Sequence, residues 1–218
     1  MPLMSGEPIW SVGRKWMGNL IPALFSVPVL ILALWLYQKQ GFSSATWVTL
    51  CAFPGVAWVS VGLFGLYANE AMREAMAQRL QRARAIRRDA IVFVGAATPA
   101  YRSALDPHED VGFLIFDPDA LEFFGEKLQL TITREQIQAV RLRMNPHSVL
   151  GLGGWVSIEG LFGGEPGRFL IESRNRGTLF GNRWDRRRLL ARIRAWHESQ
   201  KESDPSSEEP GPATRRVQ

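Results

Sequence analysis

The chain has 218 residues, a net charge of +5 and a single cysteine. One cysteine excludes an intrachain disulfide and a zinc site built from several cysteines. The positive charge raises the question of a nucleic-acid partner, but the usual binding motifs are missing, and arginines beside apolar spans more often set membrane orientation. We therefore expect no nucleic acid among the partners.

Two long uncharged stretches follow a short polar N-terminus. No charged residue lies between Lys15 and Lys39 or between Lys39 and Glu70. Each window holds the roughly 20 apolar residues that cross a hydrocarbon core of about 30 Å. The first stretch is longer than the core of a signal peptide and lacks a cleavage site, which disfavours a signal peptide. The predicted segments are a cytoplasmic N-terminus at 1–15 and a two-helix transmembrane hairpin at 16–68, with spans at 16–37 and 45–67.

Small residues mark one side of the second predicted span. Ala52, Gly55, Val59 and Gly62 recur at steps of three and four, so they share one face of a helix. Small side chains let another helix approach closely within a membrane. We expect either the first span or a second copy of the protein to pack against this helix–helix seam.

An arginine-rich helix is predicted over residues 69–90, directly after the second span. Its arginines form the densest positive cluster beside a span, so the positive-inside rule places the C-terminal part in the cytoplasm. Two crossings then return the N-terminus to the same side. We expect an integral protein of the plasma (inner) membrane with both termini cytoplasmic.

Three roles are open for this basic helix: a solvated linker, a dimerising coiled coil, or a helix that bends at Asn69 and lies on anionic headgroups. Met72, Met76, Leu80 and Ile86 form an apolar stripe that a membrane interface can bury. Arginines within about 8 Å of the surface would each contribute about 1 kcal/mol with anionic lipid. The candidate headgroup contacts are Arg79, Arg82, Arg84, Arg87 and Arg88.

Beyond residue 90 the pattern changes from helical to alternating. Seven or eight short runs are rich in β-branched and aromatic residues and are separated by turn residues. The predicted strands lie at 91–96, 111–116, 120–125, 127–133, 137–143, 155–161, 168–173 and 178–181, with a turn at 175–177. An amphipathic helix follows at 185–198, with Trp196 expected to fill the interior. The fold class is therefore α+β, a sheet closed by one helix, and residues 200–218 are expected to be disordered.

The segment Leu128-Gln-Leu-Thr-Ile-Thr-Arg-Glu-Gln-Ile-Gln-Ala-Val-Arg-Leu, the hairpin around Arg168-Phe-Leu-Ile-Glu-Ser-Arg and the closing helix resemble the PH-like fold. The similarity is closest to bacterial PH and GRAM-like domains attached to membrane helices, and it covers residues 91–199. It implies a PH-like antiparallel β-barrel capped by a C-terminal helix. The basic phosphoinositide motif of eukaryotic PH domains is not visible between the first two strands, so phosphoinositide binding is not implied.

Residue types that carry catalytic or metal chemistry are sparse. The carboxylate–imidazole cluster consists of Asp106, His108, Glu109 and Asp110, and we interpret it as a solvated loop. Residues 117–119 fail the calcium-loop pattern and are interpreted as a turn. The glycine-rich residues 151–154 do not lead from a strand into a helix, and we interpret them as a flexible loop. No hydrolase or zinc-protease motif occurs, so we predict no enzyme activity, no metal and no cofactor.

Two function classes follow. The first is a membrane-anchored, non-enzymatic binding or scaffolding module that presents a PH-like domain at the cytoplasmic face. Its expected partners are the anionic bilayer and a protein or a second copy of the chain. The alternative is an accessory or regulatory subunit of a membrane transporter or membrane enzyme complex. The first is favoured because the spans lack the intramembrane charges that mark an ion or substrate path.

Overall fold

The computed structural model describes residues 8–83, 90–98, 108–145, 148 and 150–199. The α-helices are α1 (Val12–Gln40), α2 (Ser44–Phe64), α3 (Asn69–Ala83) and α4 (Leu179–Glu198). The β-strands are β1 (Ile91–Ala97), β2 (Asp110–Phe116), β3 (Ala120–Gly125), β4 (Gln129–Thr133), β5 (Ile137–Arg143), β6 (Trp155–Phe162) and β7 (Glu165–Ser173). A short 3-10 helix, Arg134–Gln136, joins β4 to β5. The predicted α+β class is confirmed.

Helices α1 and α2 form the predicted hairpin. Ser11 and Ser43 cap their N-termini, because each hydroxyl oxygen accepts a hydrogen bond from the backbone N–H three residues later. Gly41 ends α1 with a φ of 62°, a conformation that glycine adopts without strain. Both helices are long and apolar enough to cross a membrane.

The chain bends between α2 and α3. Helix α2 ends at Phe64, and Ala68 has a φ of 58° just before α3 begins, a left-handed conformation that is uncommon for residues other than glycine. Asn69 holds the bend, because its side-chain Nδ2 donates to the carbonyl oxygen of Arg174 at 2.6 Å.

The apolar stripe of α3 packs on the β-sheet. Met72 and Met76 are 0% exposed and Leu80 is 3% exposed, in one cluster with Phe93 and Phe113. For these three residues the interpretation as a membrane-facing surface or a coiled-coil seam is therefore wrong, and Ile86 lies outside the described residues. The physical reason is that the outer surface of β1 and β2 is itself apolar and lies close enough to cover the stripe.

The seven strands form one antiparallel sheet in the order β4-β3-β2-β1-β7-β6-β5. The turn predicted at 117–119 is confirmed, and a second tight turn joins β6 to β7. The N–H of Asp117 donates to the carbonyl oxygen of Ala120 between β2 and β3, and Gly163 and Gly164 supply two consecutive positive φ angles between β6 and β7. The strand order ends at β4 on one edge and at β5 on the other, and these two edge strands do not pair with each other. Closure into a barrel is therefore not seen in the described part of the chain.

Both faces of β1 and β2 are buried. On one face, Val92 and Leu114 belong to the main core together with Ile193 of α4. On the other face, Phe93 and Phe113 lie under α3. A strand covered on both faces has a continuous apolar sequence, whereas a strand covered on one face alternates, as β3 does. The sheet is therefore a middle layer between α3 and α4 at this point.

The C-terminal helix begins earlier than predicted. Residues 178–181 are not a strand, because Thr178 caps α4 and its hydroxyl oxygen accepts from the N–H of Gly181 at 3.1 Å. The turn at 175–177 consequently leads into a helix and does not form a hairpin. Trp196 is half-buried at the edge of the core, where its Nε1 donates to the carbonyl oxygen of Asp117 at 2.6 Å. The expectation that Trp196 fills the interior is wrong.

Candidate functional site

The hairpin and the sheet domain meet at a packed junction near the end of α2. Trp58 Nε1 donates to the carbonyl oxygen of Leu150 at 2.8 Å, and the Trp58 ring meets the edge of Phe180 with ring centroids 4.9 Å apart. Gly62 makes room for this contact, because a Cβ there would overlap the Phe180 ring. Helix α2 therefore holds the domain at a fixed position beside it.

A buried apolar cluster completes the junction. Leu66, Leu152 and Leu179 are 7%, 0% and 3% exposed and contact one another. They come from the turn after α2, from the segment between β5 and β6, and from the start of α4. The glycine-rich residues 151–154 thus lie between strands as predicted, but Leu152 within them is packed against the hairpin.

A cavity of about 70 Å³ lies inside this region, and we call it the junction cavity. It opens between the first turns of α1, the last turn of α2 and the end of β7. Besides Trp10, the lining side chains with polar atoms are Arg14, Lys15, Asn19, Tyr67, His108 and Arg174. Among the lining residues that the structure describes, Arg14, Lys15 and Arg174 carry positive charge and none is Asp or Glu.

Arg174 is the most deeply buried cation of the junction cavity, at 2% exposure. Its Nε donates to the side-chain oxygen of Asn69 at 3.0 Å. The guanidinium lies over the ring of Trp10, 4.6 Å from the ring centroid, and Lys15 Nζ lies 5.1 Å from the same centroid. Trp10 therefore contacts two cations through its π-system.

Glu126, in the turn after β3, positions the start of α1. Its carboxylate accepts hydrogen bonds from the backbone N–H groups of Ile9 and Trp10. The segment that enters the hairpin is thus tied to the sheet domain, and the first turn of α1 presents Arg14 and Lys15 to the junction cavity.

His108 joins the junction cavity to a buried polar network. Its Nε2 lies 3.1 Å from Glu172 Oε2. Glu172 also accepts from the backbone N–H of Gly154 at 2.9 Å and from Asn145 Nδ2 at 3.1 Å. Gly95 makes room for the imidazole, since a Cβ there would overlap it. These contacts fix the position of His108 at the wall of the cavity.

The predicted carboxylate–imidazole cluster does not converge on one point. Asp106 lies outside the described residues, and Glu109 accepts from the N–H and hydroxyl of Thr98. His108 and Asp110 are 4% and 3% exposed, so their interpretation as a solvated loop is wrong. Within the described ranges, no group of three His, Cys, Asp or Glu side chains is placed to hold a metal ion.

Asp110 has a structural role at the start of β2. Its carboxylate accepts from the backbone N–H groups of Val111, Glu126, Lys127 and Leu128. Burial raises the pKa of the Asp110 carboxyl, against the effect of these hydrogen bonds, which lower the pKa. The residue fixes the turn between β3 and β4.

The arginines predicted to contact headgroups are described only in part. Arg84, Arg87 and Arg88 lie outside the described residues. Arg79 Nη1 lies 4.0 Å from Glu126 Oε1, with side-chain exposures of 24% and 8%. Arg79 therefore faces the sheet domain. Arg82 is exposed, and its contact with headgroups stays a prediction.

The four residues of the predicted helix–helix seam lie in two different environments. Its exposed members are Ala52, Gly55 and Val59, which line an open apolar groove on the hairpin. Gly62 is buried against Phe180. Helix α1 contacts α2 elsewhere, for example where the rings of Phe25 and Phe64 stack with centroids 5.1 Å apart. The first span does not cover the three exposed residues, and packing by a second copy stays a prediction.

No known family model matches the chain, and no curated protein sequence matches it. The packed junction and the junction cavity are therefore the features from which a function has to be inferred.

Proposed function

We propose that this chain is a membrane-anchored, non-enzymatic binding module whose two-helix hairpin holds a PH-like domain against the cytoplasmic face of the plasma membrane. The observation that carries this proposal is the packed junction. Trp58, Gly62 and Leu66 of the hairpin side contact the domain directly. A fixed junction presents one constant surface of the domain to partners, which a flexible tether would not do.

The surface of the hairpin supports a membrane location. Leu24, Ile31 and Val48 are 64%, 60% and 70% exposed, on helices that are long and apolar enough to span. Contiguous apolar surface of this kind is rare on soluble proteins. Lipid tails would cover this apolar surface and keep it out of contact with water.

The depth of the junction supports close docking of the domain on the bilayer. Trp58 lies six residues before Phe64, which is about 9 Å along a helix. If the end of α2 lies at the headgroup level, the Leu150 carbonyl bound to Trp58 would lie about 9 Å closer to the centre of the bilayer. Met144 and Trp184, which are 75% and 71% exposed, are the apolar side chains that we expect to enter the interface beside it.

The order of elements supports the PH-like assignment. Seven antiparallel strands precede one helix that packs over the core, and this order of strands and helix is in keeping with the resemblance, although the barrel closure that it also implied is not seen in the described part of the chain. The arginines after α2 support a cytoplasmic domain through the positive-inside rule. A reporter fused after residue 218 should then be active only in the cytoplasm, and activity only outside would reverse the proposed orientation.

One observation favours the alternative of an accessory subunit. The groove lined by Ala52, Gly55 and Val59 is open and apolar, and a helix of a larger membrane protein would fit such a groove. The same groove would also accept a second copy of α2.

Purification of the full chain in a mild detergent, followed by native mass spectrometry, separates these functions. The binding module should appear alone or as a homo-oligomer. A stoichiometric polytopic partner would refute it in favour of the accessory subunit. Gly55→Leu, which fills the groove while leaving the junction intact, should disrupt whichever helix contact the groove makes; Arg82→Gln serves as a control outside the groove.

A further inference from the structure

We propose that one face of helix α4 binds anionic lipid headgroups and thereby docks the sheet domain on the bilayer. This inference rests on the proposed membrane-anchored module and deepens it, because it names the lipid class and the side chains that bind the lipid. We call this surface the outer face of α4, and its residues are Phe180, Arg183, Trp184, Arg187 and Ala191.

Helical spacing places these five residues on one side of α4. The last four lie three, four, seven and eleven residues after Phe180, and such steps return to the same side of a helix. The buried residues Asn182, Leu189 and Ile193 lie on the opposite side, where Leu189 and Ile193 belong to the main core. The outer face therefore points away from the sheet.

The outer face combines cations with an exposed aromatic ring. Trp184 is 71% exposed, and Arg183 and Arg187 are also exposed. None of the five residues is Asp or Glu. Arginines beside an exposed tryptophan are typical of helices that lie at the interface between a membrane and water, where the ring enters the headgroup region and the cations meet anionic lipid.

The acidic residue in the first half of α4 lies outside this face. Asp185 Oδ2 is 3.3 Å from Arg176 Nε, and Asp185 Oδ1 is 3.6 Å from Arg188 Nη1. Its negative charge is therefore matched by two arginines that do not belong to the outer face. The charge of Arg183 and Arg187 is left to act on a partner in front of α4.

Contacts with α2 fix the level of the outer face relative to the hairpin. Phe180 meets the ring of Trp58, with ring centroids 4.9 Å apart, and occupies the space beside Gly62. Both partners lie in the last two turns of α2, which ends at Phe64. The Cα of Trp184 lies one helical turn from that of Phe180, about 6 Å away. In a hairpin that spans the membrane, Trp184 therefore lies close to the level at which α2 leaves the hydrocarbon core.

The outer face continues into the segment that Trp58 holds. Leu150, whose carbonyl oxygen accepts from Trp58 Nε1 at 2.8 Å, is itself 50% exposed. Arg183 Nη1 lies 3.6 Å from the point that a Cβ of Gly151 would occupy. The start of α4 and this segment thus form one surface beside α2.

A bilayer is the occupant that fits this surface. A hairpin that crosses the membrane brings lipid to the edge of the surface, because Trp58 and Phe180 join the two. Lipid can then cover the exposed apolar side chains of the hairpin and those of the outer face together. Arg183 and Arg187 select anionic headgroups, because the attraction acts within about 8 Å of the membrane surface.

The first measurement uses the full chain in lipid nanodiscs of phosphatidylcholine and phosphatidylglycerol. Cys51→Ser removes the single cysteine, and one nitroxide label is then attached at an introduced cysteine. The labelled variants are Trp184→Cys on the outer face, Leu24→Cys in α1 and Leu161→Cys in β6. Electron paramagnetic resonance compares the collisions of each label with oxygen, which concentrates in lipid, and with a nickel chelate, which stays in water.

Leu24 and Leu161 are the controls for lipid and for water. Leu24 is 64% exposed on the hairpin, and Leu161 is 41% exposed on the sheet domain. Ile158 of the same strand packs in the main core under α4, so Leu161, three residues later, lies on the opposite face of the sheet. We expect the label at position 184 to collide mainly with oxygen, as at position 24, and the label at position 161 to collide mainly with the nickel chelate.

The second measurement tests the lipid class. Nanodiscs contain equal amounts of phosphatidylglycerol and phosphatidylcholine, and native mass spectrometry counts the lipids that each variant retains. Arg183→Gln and Arg187→Gln should each lower the ratio of retained phosphatidylglycerol to phosphatidylcholine by up to about fivefold. Arg168→Gln is the matched control and should leave the ratio unchanged. Arg168 is exposed and precedes the core residue Phe169, so it lies on the sheet face away from α4.

Each failure has a separate reading. If the label at position 184 meets the nickel chelate as freely as the label at position 161, while the label at position 24 meets oxygen, the docking is overturned and the anchored module stands. If the label at position 184 meets neither reagent, a protein such as a second copy of the chain covers the outer face, and the proposal is again overturned. Retention of phosphatidylglycerol by Arg183→Gln and Arg187→Gln at the level of the control would refute the contact with anionic lipid. A label at position 24 that lies in water would refute the anchored module itself.

Discussion

Replacing Met76 by Ala tests whether α3 belongs to the sheet domain. Met76 is 0% exposed and packs in one cluster with Phe93 and Phe113. Truncating a buried methionine costs about 2–5 kcal/mol, because apolar contacts are lost and a cavity remains. The neighbouring rings are held by strands that pair on both sides and cannot easily close the gap, so we expect about 3–5 kcal/mol. The thermal midpoint should fall by on the order of 10 °C.

Met144→Ala is the matched control, because Met144 is the same residue type at 75% exposure. Its replacement should change the free energy of unfolding by no more than about 0.5 kcal/mol. Urea unfolding of the full chain in detergent, followed by near-ultraviolet circular dichroism, measures both variants. Equal behaviour of the two variants would show that the stripe of α3 is not packed on the sheet, and the three-layer arrangement would be refuted.

Three further predictions concern the domain boundary, the junction and pH. A segment of residues 69–199 should unfold at clearly higher urea than a segment of residues 91–199, because the shorter one exposes the sheet face that α3 covers; equal midpoints would contradict this. Gly62→Leu should lower the unfolding midpoint through overlap with Phe180, and Phe180→Ala should rescue it in part; additive effects of the two changes would argue against the contact. Asp110 has a pKa raised above 3.8 by burial, so its contribution to stability is full below the unfolded pKa and is lost as pH rises through the folded pKa. Asp110→Asn should therefore remove that part of the pH dependence of urea unfolding, while lowering stability at every pH through weaker acceptance of backbone N–H groups.

Local patterns in the sequence were sufficient to predict the hairpin, the α+β class and the seven strands. Uncharged stretches long enough to span, and alternating runs bounded by turn residues, depend only on neighbours in the chain. One error arose where two local signals compete. Thr178 is a β-branched residue that favours a strand, yet its hydroxyl caps α4, and capping depends on a hydrogen bond that composition does not show.

The sequence could have signalled one more feature. The runs of β1 and β2 are apolar at consecutive positions, from Ile91 to Val94 and from Phe113 to Phe116. Such runs indicate strands covered on both faces. They predict that a second layer is needed, and the stripe of α3 was available to supply it.

Only the tertiary structure decided which element covers an apolar face and which charged side chains lie close together. An amphipathic stripe such as that of Met72 and Met76 has the same period whether it faces lipid, another helix or a sheet, so periodicity cannot distinguish them. Arg14 and Arg174 are 160 residues apart and share a cavity only because Glu126 ties the start of α1 to the sheet while Asn69 ties the end of β7 to α3. Long-range hydrogen bonds of this kind leave no spacing in the sequence, since their partners are brought together by the packing of whole elements.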